Sequence, residues 1–103
     1  MAIVSRQVLD GEIEQGRDET KTYTVTVSPT PTAVVGVYVF NKTSLDDDIK
    51  ATHMPTGSAS IGGNVITLPP LTGLLIGQKY RVEVRWTDGV NILENYIWFR
   101  CDR

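Results

Sequence analysis

From Tyr80 to Trp86 apolar and polar positions alternate one for one: Tyr80, Val82, Val84 and Trp86 on one side, Arg81, Glu83 and Arg85 on the other. A period of two is the strand period, so this stretch predicts a strand with one dry and one wet face. Thr20 to Ser28 repeats the pattern, with Tyr23, Val25 and Val27 against Thr22, Thr24 and Thr26. Threonine suits the wet side because its β-branch fits the pleat. Two further runs are apolar on both faces. Ala33 to Asn41 sets Val35, Val37 and Val39 against Val34, Tyr38 and Phe40, and Ile92 to Cys101 sets Ile97, Phe99 and Cys101 against Tyr96 and Trp98. Such runs belong to strands buried on both sides, or to strands whose outer face meets a partner. Weaker strands are expected at Ala2 to Leu9, at a sheet edge, and at Ser58 to Ile61 and Val65 to Leu68.

Turn residues separate these runs. Pro29 and Pro31 end the second, because proline donates nothing to a ladder. Gly62-Gly63-Asn64 and Asp88-Gly89 read as hairpin turns. Asp10 to Glu19, DGEIEQGRDE, reads as a long exposed loop. In the polar connection from Lys42 to Met54, SLDDDIKATH can form a short helical turn capped by Ser44. Gly36, inside an apolar strand, marks a bulge or a close backbone approach.

Seven short strands in 103 residues, with no helical period between them, predict an all-β domain. Parallel α/β is disfavoured because crossover helices are missing, and a small barrel is the alternative. Leu74, Gly77 and Tyr80 lie three apart at the entry to the sixth strand. This spacing resembles the tyrosine corner of immunoglobulin-like and fibronectin-type folds, whose tyrosine hydroxyl bonds back to nearby backbone. The expected fold is a seven-stranded antiparallel immunoglobulin-like sandwich spanning residues 1–103 as one domain. In that order the third, sixth and seventh strands share a sheet.

Composition changes the picture mainly by exclusion. Hydrophobic residues make up 41% and charged residues 21%, an ordinary globular balance. A net charge of −2 with scattered Lys and Arg offers no basic field, so nucleic acid is not an expected partner. No run approaches membrane-spanning length and the start carries no signal-peptide core, so no membrane partner and a cytoplasmic site of synthesis are expected. The single Cys101 forms no internal disulfide, which fits a reducing compartment.

Catalytic chemistry is sparse. His53 lies in a polar loop and reads as solvated, and Cys101 reads as a small core hydrophobe, so no Cys–His nucleophile is expected. Asp46-Asp47-Asp48 is the best cation candidate, yet it lacks the glycine and the terminal glutamate of a calcium loop. Neither a zinc set nor a phosphate loop is present. No enzyme activity, cofactor or metal is expected.

What stands out is the outer face of the sheet that carries the two-faced strands. It gathers Tyr38, Phe40, Tyr96 and Trp98 beside Arg81 and Arg85. Aromatics rimmed by charge are what a protein–protein interface presents. A glycan- or host-surface-binding module using Tyr96 and Trp98 is the alternative.

The T-K-T-Y-T-V-T-V strand (Thr20 to Val27), the L-x-x-G-x-x-Y-x-V-x-V-x-W corner strand (Leu74 to Trp86) and the Asp88-Gly89 turn resemble small structural proteins of tailed bacteriophages and prophages. That resemblance implies a non-enzymatic virion part, a capsid decoration, head–tail connector or tail component, assembled in the bacterial host cytoplasm. It implies contacts with other virion proteins or with further copies of the chain, and it carries over no functional residue.

Overall fold

The structure, a computed structural model, describes residues 3–43 and 49–102, and for residues 3–11 and 51 the backbone alone. The described part is all-β apart from one short helix. In chain order it contains β1 (Ile3–Glu14), β2 (Thr24–Thr26), β3 (Ala33–Asn41), α1 (Lys50–His53), β4 (Ser60–Gly62), β5 (Val65–Thr67), β6 (Lys79–Thr87) and β7 (Ile92–Arg100). The strands form a four-stranded sheet in the order β1-β7-β6-β3 and a three-stranded sheet in the order β2-β5-β4. The core lies between them. Val25, Ile66 and Leu68 meet Val37, Val39, Val82, Val84, Trp86, Ile97 and Phe99, all buried.

Four expectations are corrected by the backbone. First, the sheets are not wholly antiparallel, because β1 runs parallel to β7. No hairpin links these two strands, so direction is set by where the chain must go next. The end of β1 must hand over to the opposite sheet, and Gln15 N–H extends the ladder to Arg100 C=O at 3.0 Å as it does so.

Second, Asp10 to Glu14 is strand rather than loop. A register shift between Gln7 and Glu12 absorbs Asp10-Gly11. Pairing then resumes with Ile13 packed on the core and Glu12 and Glu14 exposed.

Third, the second strand is shorter than its alternation. Lys21 and Leu71 exchange both backbone hydrogen bonds, and Leu68 N–H reaches Tyr23 C=O. Between them the facing segment offers Pro69-Pro70, which have no N–H to donate, so the ladder lapses and β2 proper begins at Thr24.

Fourth, the strict alternation of β3 fails at its start, where the bulge that Gly36 marks falls between Val34 and Gly36. Strict alternation groups Val34 with Tyr38 and Phe40. The bulge instead turns Val34 inward onto the core and leaves Val35 51% exposed.

The corner forms as its spacing predicts. Tyr80 is fully buried, and its hydroxyl accepts the Leu75 N–H at 2.9 Å. Gly77 takes φ +80°, a conformation that favours glycine, in the turn that brings the Leu75 N–H to the hydroxyl. His53 is not the solvated loop residue expected. It is 3% exposed, packed edge-on against Tyr80 with ring centroids 5.0 Å apart, and its Nδ1 lies 3.1 Å from Thr72 C=O. The helical turn begins at Lys50, with no side-chain cap. Ser44 and the Asp46-Asp47-Asp48 run lie outside the described residues.

Candidate protein interface on the four-stranded sheet

The outer face of the four-stranded sheet is built by register. Because paired residues share a face, each cross-strand row can be read directly from the ladders. One row runs Phe40, Arg81, Trp98, Glu12 across β3, β6, β7 and β1. The next holds Tyr38, Glu83 and Tyr96, and the one beyond it Gly36, Arg85 and Glu94. At the other end Lys79, Arg100 and Glu14 align, and Lys42 joins them through its N–H bond to Lys79 C=O. All six residues expected on this face, Tyr38, Phe40, Arg81, Arg85, Tyr96 and Trp98, therefore share it, each partly exposed.

The glycine of β3 has a specific job here. The Tyr38 ring folds back over Gly36, where a Cβ would meet the Tyr38 hydroxyl at 2.6 Å. Only the missing side chain leaves room for the ring. In that position Tyr38 lies under the Arg85 guanidinium, 4.7 Å from ring centre to Cζ. Arg81 covers Tyr96 at 3.9 Å, Lys79 covers Trp98 at 4.6 Å and Lys42 covers Phe40 at 5.2 Å. Each is a cation over a π-face, which holds long side chains flat against the sheet.

Beneath the cations lie two carboxylates. The Glu83 and Glu94 side chains are each only 9% exposed, against 23% for Arg81, 38% for Arg85 and 47% for Lys79. Arg85 Nε donates to Glu94 Oε2 at 2.6 Å. Arg81 Nη2 lies 3.9 Å from Glu94 Oε1. Arg81 Nε is 2.8 Å from Glu83 Oε2, but the approach makes no hydrogen bond and the contact is an ion pair alone. Burial is the main cause that raises the Glu83 carboxyl above its usual value; Arg81 opposes the rise and neighbouring Glu94 adds to it. The hydrogen bond that Arg85 donates to Glu94 is the main cause that raises the Arg85 pKa.

The face expected to be wet is thus layered, with rings and carboxylates below and cations above. Glu94, Lys42 and Lys79 escaped the sequence reading. Their signal was parity: each sits two residues from a residue already assigned to the face, beside Tyr96, Phe40 and Arg81 respectively.

The other sequence candidates lie elsewhere. Cys101 is fully buried and His53 nearly so. Among the described residues no three His, Cys, Asp or Glu side chains come together to hold a metal, and no helix is long and apolar enough to cross a membrane. A cleft of about 400 Å³ opens between the sheets, lined by Thr26, Ser28, Asn64, Trp86, Leu93 and Asn95 among others. The Trp86 Nε1–H donates to Asn95 Oδ1 at 2.8 Å, so its indole is already satisfied.

No family model matches this chain, and no curated protein or solved structure is significantly similar to it.

Proposed function

We propose that the protein is a non-enzymatic structural or assembly component of a tailed-phage or prophage particle, acting through the outer face of its four-stranded sheet. The finer fold proposed with it is immunoglobulin-like. Its supports are the tyrosine corner and the sharing of one sheet by the third, sixth and seventh strands.

One observation carries the functional reading. Four aromatic side chains and two arginines occupy one continuous face, partly exposed, where a two-layer fold needs no apolar residues at all. Aromatics and arginine are the residues that dominate binding at protein interfaces. The glycan reading is less favoured, since Arg81 and Lys79 already lie over the ring faces of Tyr96 and Trp98 that a sugar must reach.

The test compares Trp98→Ser and Tyr96→Ala with Phe99→Ala. Light scattering follows the chain alone and mixed with purified particle proteins. The outer-face variants should lose association while keeping the wild-type melting curve. Phe99→Ala, which empties a fully buried site, should cost about 3–5 kcal/mol of stability. Outer-face variants that associate like wild type, or that unfold like Phe99→Ala, sink the reading.

A further inference from the structure

A second surface lies on the three-stranded sheet, apart from the outer face of the other. We infer that the open edge of β2, with the cleft beside it, takes an extended strand of a partner protein that is apolar at alternate positions.

β2 ends its sheet, with β5 on one side only. Leu68 N–H reaches Tyr23 C=O and Val27 N–H reaches Asn64 C=O, so Tyr23, Val25 and Val27 bond toward β5 and its flanks. In an antiparallel ladder the residues between them face the other way. Thr24 and Thr26 therefore aim both backbone groups at the open edge. Among the described residues nothing pairs with these groups, and both side chains are exposed.

The other three edges are guarded. β1 carries a register shift and the exposed carboxylates of Glu12 and Glu14. β3 carries its bulge, and its Val39 C=O accepts the Ile49 N–H from the segment that enters α1. β4 is three residues long and ends on Gly62. Bulges, charges and short length are the means by which sheets resist pairing with other chains. Thr22 to Ser28 has neither charge, proline nor glycine.

The cleft defines what the edge takes. The three-stranded sheet is one strand narrower than the sheet it packs on. The cleft of about 400 Å³ has Thr26, Val27 and Ser28 on one side and Trp86, Leu93 and Asn95 on the other. A strand paired antiparallel with β2 sets every second residue opposite Thr24 and Thr26, facing solvent. Its intervening side chains lie beside Val25 and Val27, toward the cleft. There they meet Trp86, whose indole N–H is already bonded to Asn95, and Leu93, so apolar side chains fit. Backbone pairing at an edge with pockets for alternate side chains is recognition by strand addition. A second copy of β2 does not fit. Its inward residues, Val25 and Val27, are 0% and 5% exposed because they already pack on their own core. The occupant is a segment with no sheet of its own behind it, such as an extended tail.

The test is amide hydrogen exchange of the full chain, read by heteronuclear NMR. The probe is the peptide acetyl-Lys-Thr-Val-Thr-Val-Thr-Lys-amide. Without it the Thr24 and Thr26 amides should exchange fast, next to a protected Val25. At saturating peptide they should slow at least about tenfold. The same peptide N-methylated at its threonines keeps its side chains but loses the donors that face Thr24 and Thr26, and should give no protection. Thr24→Pro removes an N–H that β5 does not use, so the variant should fold and bind the peptide at least about tenfold more weakly. Equal protection by the methylated peptide, protection confined to other strands, or none at all overturns the inference. Thr24 and Thr26 amides already slow in the dilute free chain also overturn it, because the edge is then covered from within. Protection that grows with protein concentration and needs no peptide assigns the edge to a second copy and overturns the occupant inferred here.

Discussion

The Tyr80 hydroxyl accepts a hydrogen bond from the Leu75 N–H five residues upstream, at 2.9 Å, across the left-handed Gly77. This bond ties the loop that crosses between the sheets to the first core residue of β6. Tyr80→Phe keeps the buried ring and removes only the acceptor. The expected loss is ~1–2 kcal/mol, read as a lower urea midpoint at unchanged slope. A variant as stable as wild type means that water replaces the hydroxyl and the corner is held by packing alone.

Glu83 gives a pH dependence with a defined sign. Burial raises its carboxyl above the ordinary 4.5, so the folded protein holds the proton more tightly than the unfolded chain. Stability from this group is fully present below 4.5 and is lost as pH rises through the raised value. Glu83→Gln fixes the neutral form. It should be at least as stable as wild type at neutral pH, with the difference closing as pH falls below 4.5. Paired urea titrations at neutral and acid pH check this. A variant clearly weaker at neutral pH shows that the Arg81 ion pair outweighs desolvation.

Gly36→Ala tests the fold-back of Tyr38. The new Cβ lies 2.6 Å from the Tyr38 hydroxyl and 2.8 Å from Cζ, so the ring must swing away. The flexible, half-exposed side chain can do so, and the stability cost should stay near ~1 kcal/mol. The Arg85 stacking should be lost with it. Heteronuclear NMR reads this as loss of the Tyr38 ring-current shift on the Arg85 side-chain resonances, with the Nε–H bond to Glu94 retained. An unmoved resonance would falsify the steric account.

Cys101 is fully buried in the core. A thiol reagent should react with it no faster than the chain unfolds, and stoichiometrically in denaturant. Fast labelling of the native protein means that the C-terminal end of β7 opens locally.

Much of this architecture was legible in residue order because its causes are local. Alternation places Tyr80, Val82, Val84 and Trp86 inward by strand geometry alone, and Leu74, Gly77 and Tyr80 announce a corner by spacing. Parity likewise groups Tyr38 with Phe40, Arg81 with Arg85 and Tyr96 with Trp98 within each strand; the expected sandwich order, with these strands in one sheet, joins the three groups into one face. Three features were decided only by the assembled sheets. The direction of β1 follows from pairing with a strand some ninety residues away, which no local pattern encodes. The inward turn of Val34 depends on which residue a bulge skips, a choice settled by the partner strand. The burial of Glu83 and Glu94 arises because Arg81 and Arg85 lie down over them and over the rings. Polarity in a sequence gives the side of the strand on which a residue sits. Whether water reaches that side is set by neighbours that only the tertiary structure supplies.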